Sequence, residues 1–291
     1  MKSPLYKPTN FSLHGFLKLI RFPNLIIIAF TQYMTAVFLV GENQAGVSRL
    51  NDFNLFLLVI STIFIAAAGY IINDYYDVKI DYINKPDRVI VGKILKRRIV
   101  MVAHTILNMS GILIAFTLSI WVGLISFITA FFLWLYSNQL KRLPFIGNFS
   151  IAVLTGAAIF LVGVYYQQNI YLINTYAFFA FSITLIREIV KDLEDLKGDA
   201  DFGCQTLPVI FGIRKTKLFL YVLIAAFIFI IFYLSIQLEN QILIIYFLIL
   251  VIPILHFLFL LIKADTIRHF TFLSNYCKIL MLSGILSMVF F

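Results

Sequence analysis

Nine stretches of this chain are apolar over the length that an α-helix needs to cross hydrocarbon, and nothing else in it constrains the fold so tightly. A bilayer core ~30 Å thick takes about 20 residues of helix. The stretches fall near 17–40, 53–74, 98–119, 121–138, 147–166, 171–191, 216–237, 241–262 and 271–290. In hydrocarbon each backbone N–H and C=O must be satisfied within its own segment, so such runs read as helices. With 62% hydrophobic and 13% charged residues and a mean hydropathy of +0.96, an ordinary soluble domain is excluded. The fold expected is all-α: a polytopic membrane protein acting as a single domain over 1–291.

Charge placement orients those helices. Of 23 Lys and Arg, only Arg49 falls in the loops that follow the odd-numbered spans; the other 22 lie on the opposite side. By the positive-inside rule the N-terminus faces the cytoplasm, and the plasma (inner) membrane is the expected location. The net charge of +9 then belongs to topology and lipid contact, and no nucleic-acid partner is expected. The polar run Met1 to Asn10 lacks the pattern of a cleaved signal, so no removable signal peptide is expected. Cys204 and Cys277 are expected to be free thiols with packing roles, and His104 and His256 to be packed within apolar helices.

The acidic residues are few and clustered. Of 14, four sit at 74, 77, 81 and 87 and six at 188, 192, 194, 195, 199 and 201. Asn73, Asp74, Asp77 and Asp81 step by one, three and four; Asp192, Asp195 and Asp199 step by three and four. Those intervals place each set along one helical face, where like charges repel unless cations or water lie against them. Both sets end an even-numbered span at the cytoplasmic side, four spans apart. This spacing suggests a weak repeat of two four-helix units plus a ninth helix, arranged around a central cavity.

Carboxylates so presented suit magnesium, which takes oxygen ligands and is commonly shared between one or two carboxylates and a substrate phosphate. Arg21, Lys79, Arg88, Lys93, Lys141, Arg187 and Lys191 are candidates to neutralise a diphosphate, and Tyr70, Tyr75, Tyr76 and Tyr136 supply hydroxyls and aromatic faces. Walls rich in the 31 Phe could house an isoprenoid tail and a cation formed when diphosphate leaves an allylic carbon. Glu188 and Glu194 are read as pairing with Lys191 or Lys197. A cation-coupled secondary transporter is the reading from a different class. Transporters, however, hold ionisable groups near the midplane on broken helices, whereas spans two and six have no central Gly or Pro.

Asn73-Asp74-x-x-Asp77-x-x-x-Asp81 resembles the first signature of the UbiA superfamily of intramembrane prenyltransferases, and Asp195-Leu-Lys-Gly-Asp199 is similar to its second. Nine spans and the entry Arg21-Phe-Pro-Asn24 agree. The resemblance implies Mg²⁺-dependent transfer of a prenyl group from a polyprenyl diphosphate donor to a lipophilic acceptor, with the active-site mouth at the cytoplasmic face. It implies metal roles for Asn73, Asp74, Asp77 and Asp81, and for Asp195 and Asp199 with Asp192 in support; Asp74, Asp77, Asp195 and Asp199 would be catalytic. Arg21, Asn24 and Lys141 would approach the diphosphate. At Lys141 the chain departs from the family's Tyr-x-x-x-Lys pattern, Tyr136 lying further upstream. The run Arg187 to Asp199, followed by Thr206-Leu-Pro-Val, is similar to the branch that alkylates geranylgeranylglyceryl phosphate to give an ether. Aromatic, quinone-precursor prenyl transfer is the alternative.

Overall fold

The computed structural model of the protein describes residues 12–41, 46–237 and 241–291. The opening polar run, Glu42 and Glu239 therefore lie outside the described residues, as does the side chain of Arg88. Among the described residues there are no strands. The helices are α1 (Leu13–Leu19), α2 (Phe22–Met34), α3 (Phe53–Asn84), α4 (Arg97–Leu118), α5 (Ile120–Asn138), α6 (Ile146–Tyr166), α7 (Ile170–Asp201), α8 (Leu207–Gln237), α9 (Gln241–Lys263) and α10 (Ile267–Leu286). A π-helical turn, Thr35–Leu39, continues α2. Among the described residues nine helical stretches are long and apolar enough to cross a membrane, as expected, the first being α2 together with its π-helical turn. Ile249, Ile252 and Phe259 on α9 are exposed, where a water-soluble protein would place polar groups.

Four boundaries differ from the hydropathy reading, each for a local reason. The first span breaks at Arg21, which takes φ 52. Arg21 N–H closes α1 on Lys18 O, Arg21 O accepts from Asn24 N–H, and α2 starts with Pro23 in its first turn. Helices α3 and α7 do not stop at 74 and 191 but continue to Asn84 and Asp201, so both acidic rows are helical throughout. No proline interrupts either row until Lys85-Pro86 and Gly203 end them. The seventh span begins at Leu207, nine residues before the expected 216, because a bend at Gly212 (φ 78, ψ 164) joins a short helical lead to the span proper.

That bend gives a direct test. The Gly212 conformation is essentially reserved for glycine, and a non-glycine residue held in such a region costs about 1–3 kcal/mol. A Cβ there would meet nothing within 4 Å, so the penalty of Gly212→Ala is a backbone effect alone. The variant is expected to melt several degrees lower in detergent. An unchanged melting curve would show that the bend relaxes freely.

By contact the chain divides into two compact units. The first comprises residues 1–30 and 52–140. Asp52 caps α3 by accepting from Asn54 N–H at 2.9 Å. Leu19, Ile20 and Leu25 pack with Ala67 and Ile71 of α3 and with Ile90, Val91, Leu95 and Val100. The loop after α3 is thereby held in an apolar core, although its neighbours in sequence are basic. Helices α3 and α4 approach closely at Gly111, where a Cβ would lie 2.8 Å from Ile65 and 3.0 Å from Ser61 O.

The second unit comprises residues 31–51 and 141–291. Gly156 permits α6 to lie against α7, since a Cβ there would sit 2.9 Å from Ala177 O. Gln32 donates to Ala158 O at 2.8 Å, and Asn169 donates to Leu39 O at 3.1 Å. Arg49 donates to Ala36 O and Val40 O, satisfying carbonyls that the π-helical turn leaves open. The one basic residue in an odd-numbered loop thus serves as a helix cap. Both cysteines are buried and free.

Candidate active site

In the first unit the acidic row of α3 meets the break between α1 and α2. Arg21 Nη2 donates to Asp74 Oδ1 at 2.9 Å, and the same guanidinium lies 4.8 Å from the centre of the Tyr70 ring. Asn24 Nδ2 donates to Tyr70 Oη at 3.4 Å. Arg21, Asn24, Tyr70 and Asp74 are therefore assembled into one half-buried group, and the left-handed Arg21 backbone is what turns its side chain onto α3. Asn73, Asp77 and Asp81 are also half-buried. Tyr75 stacks edge-on with Tyr76 and carries the Arg97 guanidinium 5.6 Å from its ring centre.

Two basic candidates of this unit are placed elsewhere. Lys79 is exposed and lies five residues beyond Asp74, about 140° around the helix at ~100° per residue. Lys93 Nζ donates to Pro86 O at 3.1 Å, and Lys18 Nζ donates to Asp87 O at 3.2 Å, so both brace the 3-10 turn Pro86–Arg88. Tyr136 is half-buried near the end of α5.

In the second unit Asp192, Asp195 and Asp199 line one face of α7, all half-buried. Asn148, from the first turn of α6, donates to Asp192 Oδ2 at 2.9 Å. Thr206 Oγ1 donates to Asp199 Oδ2 at 3.3 Å, and Cys204 N–H donates to Asp199 O. Gln205 N–H donates to Arg142 O at 2.8 Å, which pins the turn carrying Lys141 beside the chain that follows the second acidic row. Glu188 accepts from Arg187 Nη1 at 2.6 Å and from Lys191 Nζ at 2.8 Å. The expected pairing of Glu188 with Lys191 is thus present, with Arg187 as a second partner.

The sequence alone did not point to Asn148 or Arg142, and it marked Thr206 only as the start of the run Thr206-Leu-Pro-Val, not as a partner of Asp199. Asn148 carried a signal, being a lone amide at the start of an apolar span. Nothing local marks it as a partner of a residue 44 positions away.

The donor set can be tested against magnesium on its own chemistry. Among the described residues no three His, Cys, Asp or Glu side chains gather into a preformed cage. Soft ligands are lacking as well: each row offers oxygen alone, from Asn73, Asp74, Asp77 and Asp81 or from Asp192, Asp195 and Asp199. Magnesium held by one or two carboxylates, with substrate phosphate and water completing its shell, needs no more. The residues fit that mode of binding and do not resemble a structural metal site.

A family model described as the UbiA prenyltransferase family matches residues 33–276, which include both acidic rows. The chain belongs to the UbiA prenyltransferase family. It is 34% identical over 285 residues to digeranylgeranylglyceryl phosphate synthase of Saccharolobus solfataricus, covering 95% of this chain and 96% of that protein. The similarity to the protein of the same name from Thermococcus kodakarensis is 36% over 160 residues, where the chain spans 57% of the relative's length. A solved structure of digeranylgeranylglyceryl phosphate synthase in membranes is similar over 95% of this chain and 97% of its own, with 28% identity and a TM-score of 0.70. A UbiA homologue from Archaeoglobus fulgidus, bound to GPP and Mg²⁺, shares the fold at 15% identity and a TM-score of 0.65, over 94% of this chain and 99% of its own.

Proposed function

We propose that this integral membrane prenyltransferase moves a polyprenyl group, geranylgeranyl in the first instance, from its diphosphate to the free hydroxyl of geranylgeranylglyceryl phosphate, forming an ether. One observation carries the reading most of the way: each of two long helices bears a row of half-buried carboxylates, one of which accepts from a cationic or neutral neighbour, Asp74 from Arg21 and Asp192 from Asn148. Support for the acceptor comes from relatives named digeranylgeranylglyceryl phosphate synthase that are similar over nearly the whole chain.

In this reading residues 1–291 act as one domain and both acidic rows serve one diphosphate. Asn73, Asp74, Asp77 and Asp81 would hold one magnesium ion, and Asp195 and Asp199, with Asp192 in support, the other. Magnesium, when bound, supplies charge that stabilises the departing diphosphate. Arg21 orients Asp74 by its 2.9 Å contact and would bring the charge of its guanidinium to the diphosphate beside that row. Asn148 orients Asp192 from the neighbouring helix. Tyr70 and Asn24 bring polar groups beside Arg21, and Lys141 stands in the turn tied to Gln205. At the reacting centre the bond from C1 of the donor to its diphosphate oxygen breaks. The bonding pair leaves with the diphosphate, the acceptor oxygen bonds to C1, and its proton passes to the released diphosphate. Membrane lipids surround the apolar helices, and the mouth of the site faces the cytoplasm, on the side where 22 of the 23 basic residues lie.

The test is an acceptor panel. Purified protein with labelled geranylgeranyl diphosphate and Mg²⁺ is expected to alkylate geranylgeranylglyceryl phosphate in preference to an aromatic quinone precursor. Lys191→Ala is expected to weaken the phosphorylated acceptor by about tenfold more than the aromatic one, the scale of one charge-assisted contact. Equal losses on both would remove the ground for choosing the glycerol phosphate. If no acceptor supports Mg²⁺-dependent diphosphate release, the enzyme reading fails.

A further inference from the structure

The acidic row of α7 has one more member than its metal motif. Glu188, Asp192, Asp195 and Asp199 step by four, three and four, so Glu188 continues the same face one turn further into the apolar span. Its situation differs from that of the aspartates. The Glu188 side chain is only 7% exposed, and its two oxygens accept from two different cations, Arg187 Nη1 on Oε1 and Lys191 Nζ on Oε2. A carboxylate so engaged is poorly placed to bind a metal ion.

The two cations form a row of their own. Arg187 and Lys191 are four residues apart and lie roughly a quarter turn from the acidic face at ~100° per residue. Their side chains are 18% and 25% exposed, far less than surface cations, and both donate to the one carboxylate of Glu188. Arg187 Nε is enclosed with no hydrogen-bond partner among the described residues, an enclosed donor in search of an acceptor. An unsatisfied donor and two cations fixed on one carboxylate are what a phosphate group needs.

We propose that Glu188 is a positioning residue: it holds Arg187 and Lys191 together as a site for a substrate phosphate, one helical turn from the metal-binding aspartates. This rests on the prenyl-transfer reading above for the identity of the substrate, but not for the existence of the anion site. The phosphate could be the monoester of the acceptor or the diphosphate of the donor; the chemistry of recognition is shared.

The experiment compares Glu188→Gln and Glu188→Asp with wild type. Glu188→Gln is expected to raise KM for one phosphate-bearing substrate on the order of tenfold while kcat changes by about twofold or less, since freed cations lose their register and not their charge. Glu188→Asp, which keeps the charge on a shorter arm, is expected to recover part of that loss. A rise confined to the acceptor assigns the monoester, and one confined to the donor assigns the diphosphate. Unchanged KM for both, or a fall in kcat alone, overturns the proposal. Should Glu188→Gln not fold, the KM values of Glu188→Asp decide in the same way. Calorimetric binding of inorganic phosphate and inorganic diphosphate to wild type and variants separates the two levels. Weaker anion binding in the variants supports the site even without turnover, and identical binding removes it even if turnover is intact.

Discussion

Asp74→Ala and Asp195→Ala are each expected to reduce turnover by about three orders of magnitude or more, equivalent to roughly 4 kcal/mol of barrier. The proposed roles of both residues are to hold a metal ion against a diphosphate. Asp74 sits three residues before Asp77 on the same face, so its removal also changes the charge felt by the rest of the row. Its partner Arg21 is 39% exposed at the side chain, so the ion pair contributes little to folding and the protein should remain inserted and monodisperse. Asp74→Asn separates shape from charge, and it is expected to be nearly as inactive. The measurement is single-turnover release of diphosphate at saturating Mg²⁺, alongside size-exclusion and thermal melting in detergent. Near-wild-type rates in either alanine variant would mean that the row does not bind the metal.

The second large effect is expected on stability. Lys217, on α8, is 8% exposed, and its Nζ donates to Ile262 O at 2.8 Å and Ala264 O at 3.0 Å, with Asp265 Oδ1 3.5 Å away. The last carbonyls of a helix have no partner within it. A buried ammonium from α8 closes the end of α9 and at the same time ties the two helices. Hydrogen bonds to a charged group contribute about 1.5–3 kcal/mol each, so Lys217→Met, similar in length but unable to donate, should destabilise by roughly 4 kcal/mol. Melting in detergent is expected to fall by about 10 °C, while KM values measured well below the transition stay near wild type. A melting temperature within a degree of wild type would show that water or lipid headgroups cap α9 equally well.

Much of the acidic machinery was legible in the chain because it obeys helical spacing. Asp74, Asp77 and Asp81, and Asp192, Asp195 and Asp199, were placed on single faces by counting, and α3 and α7 carry them in that arrangement. What hydropathy misjudged was where those helices end. Carboxylates lower the apolar score without breaking the backbone ladder, so a span read by hydropathy stops short of the helix that contains it. The start of the seventh span was misplaced for a related reason: the lead before Gly212 holds Arg214, Lys215 and Lys217 close behind it, and basic residues masked a helix that had already begun. The same counting could have shown that Lys79 faces away from Asp74. Proximity in sequence is not proximity on a helix.

Partnerships were a different matter. By itself the sequence determined nine stretches apolar and long enough to cross a membrane and two oxygen-rich rows, because helical periodicity and apolar length are properties of a segment alone; the family was legible only through the resemblance of the two acidic motifs. Only the tertiary structure decided that Asp74 meets Arg21 across 53 residues of chain, that Asp192 meets Asn148 across 44, and that buried Lys217 reaches the end of α9. Those contacts depend on which faces of distant helices pack together and on a left-handed backbone at Arg21. Neither is encoded in any one segment, since each is settled by the joint free energy of packing many side chains at once.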